Sequence, residues 1–162
     1  MATIQFKKGD AYLAKISKLA ESSKDAVIGP AIYGAADIVT NEIRSELDRL
    51  PTDERYGNVS DPTNGPKIGQ IKALKATLGI ASIQSDAGYY NVKIGWDGYN
   101  QIKTKTWPNG EPNQMVARSI ERGTSFMRAN SFVKKAVAKV RKKAIESMKT
   151  TVDQKIEAIM KG

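Results

Sequence analysis

The sequence Val116-Ala117-Arg118-Ser119-Ile120-Glu121-Arg122-Gly123-Thr124-Ser125 carries the most structural information in this chain. Its apolar residues fall about one turn apart, so 115–122 is predicted to be a short helix with one buried face. A glycine just past a helix can take the left-handed conformation that closes off the last carbonyls, and Thr124 or Ser125 can hydrogen-bond its own backbone in the turn. On capping grounds alone, residues 121–124 are a solvated helix end and its C-cap.

A second stretch, Asn130-Ser131-Phe132-Val133-Lys134-Lys135-Ala136, opens a long C-terminal helix. Apolar residues keep near-helical spacing from here to Ile159, and no proline follows Ser131. A helix over about 131–160 would be roughly 45 Å long, which is more than a domain of this size can readily cover. We therefore expect part of it to pack on another chain. The alternative is that it lies across the sheet and its last turns fray.

The N-terminal half predicts a short edge strand at 3–7 and two helices. Asp10 is a candidate N-cap for the first helix, which ends near residues 22–23. The second helix has Pro30 in its first turn and stops at Pro51. Its predicted buried stripe is Ala35, Ala36, Val39, Ile43, Leu47 and Leu50.

The segment 51–66 consists almost entirely of turn-forming residues and has no apolar period. It is predicted to be a long exposed loop. Compact domains rarely keep such a loop without a use, so contact with a neighbouring subunit or partner is our hypothesis. Disorder in the free protein is the alternative.

The middle of the chain predicts a helix at 67–78 and then a small antiparallel sheet. Residues 80–85 and 90–96 suit strands, with a hairpin turn at 86–88, and 101–107 is a possible further strand. The fold class that results is α+β, a β-meander packed against two or more helices with a long C-terminal helix. At 162 residues, a single domain over 1–162 is expected.

Composition excludes several kinds of chemistry. The chain has no cysteine and no histidine, so disulfides, thiolate catalysis, the usual general base and the commonest metal ligand are all missing. Glu42 and Glu46 lie one turn apart, but with Arg44 and Arg49 close by they are interpreted as solvated charges rather than as a metal or acid–base pair. Neither an activated nucleophile nor a correctly spaced phosphate loop is recognisable. We expect no catalytic, cofactor or metal-binding residue, and no enzymatic activity.

No stretch near the start resembles a signal peptide, and none later reaches the ~18 apolar residues of a membrane span. The sequence therefore predicts a protein that is made and stays in the cytosol. Association of the basic helix with a membrane surface is disfavoured, because alanine and valine dominate its apolar face and tryptophan is missing from it.

The net charge of +9 comes entirely from the C-terminal part of the chain. Residues 1–100 hold 12 basic and 12 acidic residues, whereas residues 101–162 hold 14 and 5. A basic surface of this kind attracts phosphate or an acidic protein partner without selecting a sequence. A solvated, lysine-rich helix face is the alternative, and specific nucleic-acid readout is not indicated because aromatic residues are not interleaved with the basic ones. The predicted basic surface comprises Arg122, Arg128, Lys134, Lys135, Lys139, Arg141, Lys142 and Lys143.

The two C-terminal stretches together resemble the signature Y-A-x-x-x-E-x-G-T … P-F-x-x-P-A of a family of small neck and tail-completion proteins from long-tailed double-stranded DNA bacteriophages. Val116 stands where that signature has an aromatic residue, and Ser131 where it has proline. The helix at 67–78 is similar to a second family motif, T-G-x-L-x-x-S-I, with Ile68 in place of the threonine. The order of predicted elements also resembles that of the family.

This resemblance implies a structural virion protein that forms a ring, expected to be sixfold, where the DNA-filled head joins the tail. It would lie in the host cytoplasm during assembly and then in the virion. The implied partners are other copies of the chain, head-closure or connector proteins, and tail-tube or tail-terminator proteins, with packaged DNA as a nonspecific contact. Glu121, Gly123, Thr124 and Phe132 are the implied docking residues. A tail terminator that caps the tube, and a small nonspecific DNA-binding protein, are the alternatives.

Overall fold

The computed structural model describes residues 9–87 and 89–162, so the edge strand predicted at 3–7 lies outside these residues. Residues 9–48 form a nearly continuous run of helix. Helix α1 (Gly9–Ser22) passes through a π-helical turn, Ser23–Ile28, into helix α2 (Gly29–Asp48). Asp10 therefore lies inside α1 and not at its N-cap. The sequence predicted two separate helices, because it contains no signal for the wide turn that joins them.

Helix α2 presents its predicted stripe to the core. Pro30 lies in its first turn, where the missing N–H costs no hydrogen bond, and the backbone of Arg49 and Leu50 closes the other end just before Pro51. Ile43 and Leu47 are buried, as are the small residues Ala31, Ala35 and Ala36. These small side chains allow another helix to pack closely against this face.

The β structure is a single interrupted hairpin. Helix α3 (Ile68–Thr77) runs directly into strand β1 (Leu78–Ile80), so Leu78 opens a strand instead of ending the helix as predicted. Strand β1 pairs with β4 (Ile94–Trp96), and β2 (Gln84–Asp86) pairs with β3 (Tyr89–Asn91), both antiparallel. Between the two ladders, residues 81–83 oppose 92–93, so the register shifts by one residue as at a β-bulge.

The predicted hairpin is confirmed, because Asp86 of β2 pairs with Tyr89 of β3, but the further strand at 101–107 is wrong. This segment is irregular and is held by local bonds, including that from the Ile102 backbone N–H to the Asn100 side chain. An alternating sequence forms a strand only where a neighbouring backbone is free to pair with it. The sheet region is therefore a hairpin and not a three-stranded meander.

Two helices complete the chain, α4 (Asn113–Arg122) and α5 (Phe132–Lys161). Helix α5 packs antiparallel to α2, because Lys139 pairs with Glu42 whereas Ala158 and Ile159 lie near Pro30. Among the described residues, Ala144 is the last buried side chain of α5. Beyond it, the helix continues beside α1 and the π-helical turn, and the prediction that part of α5 packs on another chain stays a prediction.

The core lies where α2, α3, α4, β1 and the first turns of α5 meet. Phe132 is 1% exposed and meets Trp96 edge-on, with the ring centroids 6.0 Å apart. The other buried members of this cluster are Ile43, Leu47, Ile71, Leu74, Leu78, Val116, Ala117, Ile120 and Ala136. The architecture is α+β, a small antiparallel β region on helices with a long C-terminal helix, as the sequence predicted.

Candidate docking surface

Glu121 holds the N-terminus of α5. Its carboxylate accepts hydrogen bonds from the backbone N–H groups of Val133 at 2.8 Å and Lys134 at 3.1 Å. The first N–H groups of a helix have no partner within the helix and carry partial positive charge, so a carboxylate there is a strong cap. Glu121 was interpreted as part of a solvated helix end on capping grounds, and its side chain is instead an intramolecular cap from a different helix.

Gly123 ends α4 with φ 75° and ψ 169°, a combination that is essentially limited to glycine. The positive φ agrees with the predicted glycine C-cap, but the chain leaves the helix extended and not in the left-handed helical conformation. A Cβ atom at this position would lie 2.8 Å from the backbone nitrogen of Ala129. Glycine is thus required both by the dihedral angles and by the close return of the chain.

Thr124 organises the turn that follows, as predicted. Its hydroxyl oxygen accepts hydrogen bonds from the backbone N–H groups of Phe126 and Met127, both at 3.1 Å. Its own N–H donates to the Met127 carbonyl at 2.9 Å. Thr124 itself is exposed and stands at the surface of this turn.

The predicted docking residues therefore lie at one junction, but they are not all on its surface. Thr124 is exposed and Glu121 is half-buried, whereas Phe132 belongs to the core. Phe132 can shape a docking surface only by fixing the backbone around it. That these four residues serve docking stays a prediction.

The loop 51–66 is joined to this junction at Thr63 and Asn64. The Thr63 N–H donates to the Phe126 carbonyl at 2.8 Å, and the Arg128 N–H donates to the Thr63 carbonyl at 2.9 Å. The Asn130 side-chain amide donates to the Asn64 carbonyl at 3.1 Å. The loop has no helix or regular strand, and these three bonds hold its end against the junction.

Arg55 holds the exposed part of this loop together. Its guanidinium donates to Asp53 at 2.9 Å and to Asp61 at 2.6 Å. The bond to Asp53 lowers the pKa of Asp53 to about 2, and both bonds raise the pKa of Arg55. No periodic pattern in the sequence indicates this arrangement, since the three residues are brought together by turns.

A cavity of about 510 Å³ lies between this loop, α3, α4 and the turn at 124–127. Its lining includes Thr124, Phe126, Met127 and Glu111. Burial raises the pKa of the Glu111 carboxyl, which has no ion pair or side-chain hydrogen bond within the described part of the chain. The sequence did not single out Glu111, because nothing around it marks a site.

The residues of the predicted basic surface are all exposed, as a docking or phosphate-binding role needs. Lys139 differs from the rest, because its ammonium pairs with Glu42 at 2.5 Å and with Glu46 at 3.7 Å. In the described part of the chain, the other seven form no ion pair. Lys139 therefore joins α5 to α2, and the free basic surface consists of Arg122, Arg128, Lys134, Lys135, Arg141, Lys142 and Lys143.

Glu42 and Glu46 are ion-paired and not simply solvated. Arg49 bonds to both, at 3.2 and 2.6 Å, and their side chains are 17% and 14% exposed. The hydrogen bond from Lys139, followed by that from Arg49, lowers the pKa of Glu42. The interpretation as solvated charges was wrong here, because a sequence does not show that α5 brings a lysine to this face of α2.

No protein-family model, curated protein or solved structure matches this sequence. Within residues 9–87 and 89–162, no helix is both long enough and apolar enough to cross a membrane, and no group of acidic residues is arranged to hold a metal ion.

Proposed function

We propose that this chain is a structural virion protein that assembles as a ring at the head–tail junction of a long-tailed bacteriophage and completes or joins the tail to the head. The observation that carries the proposal is the junction around residues 121–132. There, each residue of the E-x-G-T … F signature has its own structural role. Glu121 caps α5, Gly123 and Thr124 form the turn after α4, and Phe132 packs in the core. This gives a physical reason for the signature residues to occur in that order.

The free basic surface supports a location of this protein beside DNA or beside an acidic protein. Seven exposed cations without intramolecular partners in the described chain repel one another, a cost that a polyanion or an acidic protein surface would relieve. The same observation favours the second candidate function, a nonspecific DNA-binding protein. A tail terminator, which caps the tail tube, is the third candidate.

The test of the proposed function is electron microscopy of particles from a phage that lacks this gene. Filled heads beside separate, finished tails are expected. Tails of uncontrolled length would indicate termination instead. Normal infectious particles would contradict a role in the virion.

Charge reversal separates the virion and DNA-binding candidates. The variant K134E/K135E/K142E leaves the Lys139 pairs intact, and K72E/K93E/K105E is a control with the same change in net charge on other exposed lysines. For a neck protein, the first variant should disturb assembly with tails and the control should not. Salt-sensitive binding of the unmodified protein to free DNA, abolished only in the first variant and without an assembly defect, would favour the DNA-binding candidate.

A further inference from the structure

The loop 51–66 and the neighbouring turn at 124–127 present apolar side chains to solvent beside the cavity. Tyr56 is 81% exposed, Val59 74% and Phe126 56%, and both aromatic residues also line the cavity. Exposed aromatic groups next to a concave surface are typical of interaction sites. The bonds from Arg55 and Thr63 already fix the backbone here, so the loop would lose little conformational entropy when a partner binds.

This surface is also acidic, although the chain as a whole is basic. The loop contains three acids, Asp53, Glu54 and Asp61, and one base, Arg55. The guanidinium of Arg55 already forms ion pairs with two of these acids, Asp53 and Asp61. Adding Lys67 and Glu111 keeps these residues at two net negative charges, on a chain whose formal charge is +9; Arg128, whose backbone adjoins the loop at Thr63, belongs to the free basic surface. Such a surface repels phosphate and attracts cations.

Lys67, the lysine counted in this surface, also has partners within the chain. The Lys67 ammonium donates to the backbone carbonyls of Glu54 and Arg55 and lies 4.1 Å from the centroid of the Tyr56 ring. Glu111, in contrast, faces the cavity without a charged partner in the described chain. An incoming cation would supply the counter-charge that this carboxylate lacks.

We propose that this surface binds the part of the free basic surface that lies on α5 of a second copy of the chain, and that a lysine or arginine side chain enters the cavity toward Glu111. The residues of that part are Lys134, Lys135, Arg141, Lys142 and Lys143. These side chains combine an apolar stem with a charged head, which suits a cavity lined by Val116, Phe126 and Met127 with a carboxylate among them. The inference rests on the proposed ring. Two different and complementary patches give a head-to-tail contact, which closes into a ring when the rotation between copies permits it.

Zero-length cross-linking tests this contact directly. Equal amounts of unlabelled and ¹⁵N-labelled protein are mixed, treated with a carbodiimide that joins carboxylates to amines, and analysed by mass spectrometry. Cross-links between labelled and unlabelled chains are expected from Glu54, Asp61 or Glu111 to Lys134, Lys135 or Lys142. If oligomers form but all intermolecular cross-links lie elsewhere, the docking inference is overturned and the ring remains.

Variants of exposed residues provide a second measurement. Y56S/F126S should weaken self-association at least tenfold in analytical ultracentrifugation, and E111Q should reduce its dependence on salt. Y89S is the matched control, because Tyr89 is 78% exposed at the hairpin. Circular dichroism checks that each variant is folded. Unchanged association in folded Y56S/F126S would overturn the inference. A protein that stays monomeric at all concentrations and salt conditions would contradict both this contact and a ring formed by the chain alone.

Discussion

The carboxylate of Glu121 lies 2.8 Å from the backbone nitrogen of Val133 and joins the end of α4 to the first turn of α5. Ser131, the residue just before α5, makes no side-chain capping bond within the described structure. The cap therefore comes from twelve residues earlier in the chain. This contact fixes the direction in which the long helix leaves the core, and with it the position of the free basic surface.

Replacement of Glu121 by alanine should destabilise the fold. Loss of a helix cap costs about 1–2 kcal/mol, and the carboxylate also interacts with the helix dipole. We expect a lower midpoint in urea unfolding followed by circular dichroism. E146A is the control, because Glu146 is exposed in the middle of α5 and its removal should change stability by less than about 0.5 kcal/mol. Equal effects of the two substitutions would show that the cap contributes nothing.

Two glycines should respond in opposite directions to alanine. G123A forces an unfavourable φ and a contact with Ala129, and should cost more than about 1 kcal/mol. G34A places a methyl group inside α2 with no atom within 4 Å, and should stabilise by about 0.5–1 kcal/mol. Thermal unfolding of both variants checks this, and a stable G123A protein would contradict the geometry of the turn.

The two phenylalanines near the junction should also differ. F132A removes a buried ring and should cost about 3–5 kcal/mol, enough to unfold a marginal domain. The milder variant F132L should keep the fold while changing the fluorescence of Trp96, which loses its edge-on partner. F126A, at an exposed position, should leave both stability and fluorescence nearly unchanged. An unaltered emission spectrum in F132L would argue against the ring contact.

The loop should make stability depend on pH in the acid range. The pKa of Asp53 is about 2 in the folded chain, chiefly through the hydrogen bond from Arg55, against an ordinary 3.8. Between these values the unfolded chain binds more protons, so this stabilisation is present above about pH 4 and is lost as the pH falls through 2. In R55Q, the unfolding temperature should fall less steeply between pH 4 and 2. R118Q, at an exposed arginine outside the loop, should keep the slope of the unmodified protein.

The sequence by itself determined where the helices lie, though not the π-helical turn that joins the first two, and it determined the hairpin and the α+β class. Apolar residues at helical spacing identify α2 and α5 because a helix needs one buried face, whatever it packs against. Pro30, Pro51 and Gly123 mark helix ends because their effects are local to the backbone. The exposure of the free basic surface was also predictable, since unpaired charges do not enter a core.

Only the tertiary structure decided which distant groups meet. Glu121 and Val133, Arg55 and Asp61, and Lys139 and Glu42 are brought together by chain crossings, and no local pattern in the sequence records them. The strand predicted at 101–107 failed for the same reason, because a strand depends on a neighbour with which to pair. Burial of Phe132 and the cavity beside Glu111 likewise follow from how α4, α5 and the loop pack, since packing is a relation between segments and not a property of one.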